Sequence, residues 1–174
     1  MEVELKVYAD QNVVSALRRW HQRPEENAAI RVLKEWSDAG RITLVTSAVH
    51  DRERSLPEQF REAQEAIRAE LPQVEFADDH RLYGFNTLLS GRGGTGGFTT
   101  YPLIEDDKVA KRLREIGLDR LDAHHVMLAI KRECAAFVTC DEDTILKYRP
   151  QVEAEFPIRL MLPSELVREM ESVR

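Results

Sequence analysis

Leu5, Val7 and Ala9 alternate with Lys6 and Tyr8 and the run stops at Asp10-Gln11-Asn12, a period of two that predicts a half-buried strand. Beyond it the period lengthens. Val13, Ala16, Leu17 and Trp20 recur at helical spacing with Asn12 as the N-cap, until His21 and Pro24 break the run. Pro24 opens a second helix, with Ala29, Val32, Leu33 and Trp36 on its apolar side and Gly40 as its stop. Ile42, Leu44 and Val45 predict a second strand over 41–46, followed by helical patterns over 47–54 and from Pro57 onward. A short third strand falls at 74–76. Further on, 122–133 reads as a helix, 135–140 and 158–162 as continuous apolar strands, and a last helix begins at Ser164.

Strands that pair in parallel need crossovers of about a dozen residues or more, and helices supply them here. The alternation therefore predicts an α/β domain, a three-layer α/β/α sandwich with a mainly parallel central sheet. Glycines interrupt it between 79 and 105, where Gly84, Gly91, Gly93, Gly94, Gly96 and Gly97 make six of the eight in the chain. That segment reads as an insertion or mobile loop within a single domain spanning 1–174.

Composition narrows the class. At 43% apolar and 32% charged residues, the 174-residue chain matches folded globular proteins rather than disordered ones. No run approaches the roughly 18 uncharged apolar residues of a membrane span, and Met1-Glu2-Val3-Glu4 lacks the basic start of a signal peptide, so no membrane association and a cytoplasmic location are expected. Cys134 and Cys140 are too widely spaced for a Cys-x-x-Cys motif and are expected to be buried thiols. Acids outnumber bases 31 to 25, a net charge of −6, so any polyanion must be held locally by metal ions or a small basic patch. Gly91–Gly96 fits G-x-G-x-x-G but neither follows a strand nor opens a helix, which removes the reason to read it as a dinucleotide site.

Four acids occupy equivalent places in the predicted sandwich. Asp10 ends the first strand, Glu53 lies on the helix after the second, Asp122 opens the helix before the apolar strand, and Asp141 ends that strand. In open α/β sheets these positions share the edge where ligands bind. Acids that converge without a basic partner repel one another, and a bound hard cation, Mg²⁺ or Mn²⁺, is the usual compensation. Asp143 competes with Asp141 for the fourth place. His125 stands on the helical face of Asp122, three residues on, as a supporting group. Arg92 in the glycine-rich segment and Arg18-Arg19 on the first helix are candidate phosphate contacts. Relief of repulsion would make Asp10→Asn melt above the parent chain in EDTA.

Val7-Tyr8-Ala9-Asp10-Gln11-Asn12-Val13-Val14, Val45-Thr46-Ser47 with Glu53, Leu121-Asp122-Ala123-His124-His125, and Val138-Thr139-Cys140-Asp141 resemble, in that order, the motif segments of PIN-domain ribonucleases. The resemblance covers both ends of the chain and thins across the middle. It implies a parallel-sheet α/β/α fold and a Mg²⁺- or Mn²⁺-dependent endoribonuclease, most often acting on single-stranded RNA. Many bacterial and archaeal members are toxins, so a cognate antitoxin and a second copy of the chain join RNA as expected partners. Carried over by position, Asp10, Glu53, Asp122 and Asp141 match the acidic quartet around the metal, with Asn12 and Thr139 as supporting residues. Gln11 stands where the family usually has Thr, and the glycine-rich segment has no counterpart in a minimal member. The alternative is a catalytically silent PIN-like module that binds RNA or protein. A phosphohydrolase with an Asp nucleophile fits less well, since Asp10-Gln11-Asn12 lacks the second acid of Asp-x-Asp.

Overall fold

A computed structural model of the chain describes residues 5–16, 23–47, 75–77 and 107–173. Glu53, Arg18, Arg19, Arg92, the helical patterns over 47–54 and from Pro57, and the glycine-rich segment all lie outside the described residues.

Leu5–Ala9 forms β1 and Gln11–Ala16 forms α1. Pro24–Asp38 is α2, Ile42–Ser47 is β2 and Glu75–Ala77 is β3. Lys108–Ile116 is α3, Arg120–Lys131 is α4 and Ala136–Val138 is β4. A 3-10 turn at Leu146–Tyr148 leads into α5, Arg149–Glu155, followed by β5, Arg159–Met161, and α6, Pro163–Ser172.

The strands make one five-stranded sheet in the order β3-β2-β1-β4-β5, parallel throughout. In β1 and β4 the register pairs Val7 with Ala136, Tyr8 with Phe137 and Ala9 with Val138. Alternation along each strand divides the core in two. Tyr8, Val45, Phe137 and Leu160 pack against Leu113, Val126, Met127 and Val152 from α3, α4 and α5. Val7, Ala9, Ile42, Leu44, Val138 and Met161 pack against Val13, Leu33, Trp36 and Leu166 from α1, α2 and α6. Helices thus cover both faces of a sheet buried on both sides, as all-parallel sheets require.

Several boundaries differ from the periodicity. α1 starts at Gln11 rather than after Asn12, because the Asp10 carbonyl accepts from Val13 and Val14 N–H at 3.0 Å each and Asp10 takes the cap position. α4 starts at Arg120, since the Asp119 side chain accepts from the N–H groups of Leu121 and Asp122, both at 2.8 Å. α3 and α5 occupy stretches where the periodicity assigned no element. Among the described residues no helix is long and apolar enough to cross a membrane.

Candidate functional site at the carboxyl edge of the sheet

Parallel strands bring all their carboxyl ends to one edge, and β1 and β4 are neighbours there. Asp10 N–H donates to the Val138 carbonyl at 3.1 Å, and Thr139 N–H donates to that of Met161 at 3.0 Å. Each strand therefore carries one polar residue just past its last paired position. Thr139 is fully buried and Asp10 nearly so, so their polar atoms need partners inside the protein.

They find them in each other. The Thr139 hydroxyl donates to Asp10 Oδ2 at 2.7 Å. Asn12 Nδ2 donates to the same Oδ2 at 2.8 Å and to Thr139 Oγ1 at 2.9 Å. Gln11 N–H donates to Asp10 Oδ1 at 2.7 Å. Asn12 Oδ1 accepts from Cys140 N–H at 3.0 Å, and Thr139 Oγ1 accepts from Asp141 N–H at 3.0 Å. The turn after β4 is thus hung from Asp10 and the first turn of α1, which fixes where Asp141 begins.

Asp141 then folds over its own turn, with Oδ1 accepting from Thr144 N–H at 2.8 Å. The Thr144 hydroxyl lies 2.7 Å from Asp141 Oδ2 and 2.9 Å from Asp122 Oδ2. This contact places the start of α4 at the same edge as the ends of β1 and β4. One hydroxyl carries one hydrogen and satisfies one of the two carboxylate oxygens as donor. The second short contact calls for a proton on a carboxyl group or a nearby positive charge. Burial, opposed by the Thr144 hydrogen bond and assisted by the charges of Asp119, Asp10 and Asp141, pushes the Asp122 carboxyl up to about 6.

Asp143 is exposed and lines, with Asn12, Cys140, Asp141 and Glu142, an open cavity of about 500 Å³ beside this cluster. His125 sits elsewhere than its spacing from Asp122 suggests. It is buried under the sheet, its Nδ1 sharing a 2.8 Å hydrogen bond with the Tyr8 hydroxyl, and Tyr8 stacks on Phe137 with ring centres 5.1 Å apart. The helix face of Asp122 points inward one turn later, which explains the difference.

Cys134 is buried and Cys140 half-buried. Burial pushes the Cys140 thiol up to about 12, with Glu26 and Asp10 adding to the effect, which disfavours the thiolate a cysteine nucleophile needs. Two residues here escaped the sequence reading. Thr144 follows Asp141 at the i+3 spacing of a side-chain-capped turn, a signal that was present. Glu26 is a buried carboxylate accepting from Ser164 N–H at 3.0 Å and Ser164 Oγ at 2.7 Å. It ties α2 to the start of α6, and nothing in Pro24-Glu25-Glu26 distinguishes it from an ordinary first-turn acid.

Asp10, Asp122 and Asp141 thus share one edge, and their oxygens are of the hard type that Mg²⁺ and Mn²⁺ prefer. Among the described residues no group of three His, Cys, Asp or Glu side chains closes around a single ion position. Glu53, the fourth acid of the sequence set, lies outside those residues. No family model matches the chain, and no curated protein shows significant similarity to it.

Proposed function

We propose that the chain is a metal-dependent endoribonuclease of the PIN type, hydrolysing phosphodiester bonds of RNA. The observation that carries the reading is the shared Thr144 hydroxyl: carboxylates from α4 and from the turn after β4 approach one donor at 2.9 and 2.7 Å, beside the buried Asp10. Such crowding of carboxylates is tolerated where a cation belongs. Asp10, Asp122 and Asp141, with Glu53, would hold Mg²⁺ or Mn²⁺. When bound, the ion supplies charge neutralisation at the phosphate and a more acidic water.

The chain's own residues do the positioning. Asn12 and Thr139 hold the Asp10 carboxylate in one orientation. Thr144 keeps Asp122 and Asp141 at a fixed separation. The open cavity along Asn12, Asp141 and Asp143 leaves the edge accessible to a strand of RNA. An antitoxin protein and a second copy of the chain complete the set of partners that PIN membership implies.

A second reading, a catalytically silent PIN-like module, draws support from Gln11, which stands where the family usually has Thr. Incubation with single-stranded and structured RNA in Mg²⁺, Mn²⁺ or EDTA separates the two. The nuclease reading expects cleavage with metal, none in EDTA, and loss of about 10²-fold or more in rate for folded Asp122→Asn, which weakens the hold on the ion that the transition state needs. Cleavage by Asp122→Asn at the parental rate would refute the assignment. Absence of cleavage in every condition, with RNA still bound, would select the silent module.

A further inference from the structure

α3 carries Lys108, Lys111 and Arg114 on the side away from Ala110 and Leu113, which face the core. With Glu115, Leu118, Asp119 and Arg120 they line an open groove of about 850 Å³ that runs from α3 to the first turn of α4. All three cations are exposed. Other described basic side chains are engaged: Arg112 with Glu155 and Glu115, Lys131 with Asp107, Arg149 with Glu165, and Arg159 with Glu169. The side chains of Lys108, Lys111 and Arg114 have no ion pair or hydrogen bond among the described residues.

Neither of the groove's two acids pairs with them. Glu115 receives Arg112 Nη1 at 3.1 Å. Asp119 Oδ1 is taken up by the N–H groups of Leu121 and Asp122 as the cap of α4. Three cations without a side-chain partner among the described residues, on a chain of net charge −6, run against the global field, and the groove they line ends at Arg120, two residues from Asp122. We infer that this groove binds the phosphodiester backbone of single-stranded RNA and leads it to the acidic edge. The inference rests on RNA being the chain's ligand, as the nuclease reading has it. Flexible Lys and Arg heads spaced along a helix suit a backbone track that carries no base information.

The test reads binding apart from cleavage, in EDTA, by anisotropy of a fluorescein-labelled oligouridylate of about 12 nucleotides, a length within the usual single-strand site sizes. The variant Lys108→Gln/Lys111→Gln/Arg114→Gln is compared with Lys34→Gln/Arg41→Gln/Arg168→Gln, which makes the same charge change on α2, the turn after it and α6. All six side chains lie at the surface, and circular dichroism verifies that both variants fold. The groove variant should bind about tenfold or more weakly, and its plot of log K against log salt should flatten by about 2, since each single-strand phosphate contact contributes about 0.7 to the slope. The control variant should bind within about twofold of the parent.

Equal affinity and slope in the two variants would overturn the inference. So would loss of polyglutamate binding with RNA binding intact, which would assign the groove to an acidic protein. Cleavage is read separately with Mg²⁺. Groove-dependent binding by a chain that never cleaves leaves this inference standing and removes the nuclease. Cleavage by a chain whose binding ignores the three substitutions does the reverse.

Discussion

Asp10 shows how a single carboxylate can be held too well to be relieved by neutralising it. Its Oδ2 accepts from both Thr139 Oγ1 and Asn12 Nδ2, and its Oδ1 accepts from Gln11 N–H. Repulsion from other acids opposes this charge, but all three of these contacts are to donors, and the side chain is 6% exposed. An asparagine offers one oxygen, so its amide would face at least one of those donors. A buried donor left unsatisfied costs about 1–3 kcal/mol, more than screened repulsion returns. Asp10→Asn is therefore expected to lower stability by roughly 1–3 kcal/mol in EDTA, the opposite sign from the estimate that charge crowding alone gives. Urea unfolding of both proteins in EDTA decides it, and a higher midpoint for the variant would mean that repulsion dominates.

At the scale of elements, the connection between α3 and α4 aims Asp122 at the edge, and one glycine makes it. Gly117 has φ +130°, in the region that favours glycine, and its N–H closes α3 onto the Leu113 and Arg114 carbonyls at 3.2 and 3.1 Å. A Cβ there would stand 2.6 Å from the Tyr148 ring. Gly117→Ala should destabilise by roughly 1–3 kcal/mol from backbone strain, with displacement of Tyr148 added. A thermal midpoint unchanged by Gly117→Ala would contradict that account. The same region shows what could be read beforehand. β1, β2, β4 and β5 were legible because buried parallel strands are short apolar runs. Val109, Ala110, Leu113 and Ile116 carry a helical period, yet four basic residues in nine and the glycine-rich stretch before them obscure it. α5 has only Val152 buried, too little for any period. Within the site, Asp10, Asn12 and Thr139 could be placed from strand ends. The contact of Thr144 with Asp122 and the inward turn of His125 could not, since both depend on how α4 packs against β1 and β4.

Across the described residues charge is distributed unevenly: acids gather at the carboxyl edge of the sheet while Lys108, Lys111 and Arg114 line the neighbouring α3–α4 groove. Folding brings Asp122 from water into the acidic side of this field, and its carboxyl rises from 3.8 to about 6, chiefly through burial. A carboxyl raised by folding binds its proton more tightly in the native state. Its contribution to stability is fully present below the unfolded value and is lost as pH climbs through about 6. In EDTA the parent chain should therefore lose stability between pH 4 and pH 7 relative to Asp122→Asn, which has no proton to lose there. Asp122 remains partly open to water, so screening reduces the size of the effect and leaves its sign. Metal acts from the other direction. A ligand confined to the folded state stabilises by about 2.7 kcal/mol at 100 times its Kd, so Mn²⁺ at pH 7 should raise the parent's melting temperature and leave that of Asp122→Asn nearly unmoved. Melting curves of both proteins at pH 4 and pH 7, with EDTA or Mn²⁺, test both halves. Parallel pH profiles would show that Asp122 does not titrate near pH 6, and equal shifts with Mn²⁺ would show that it holds no ion.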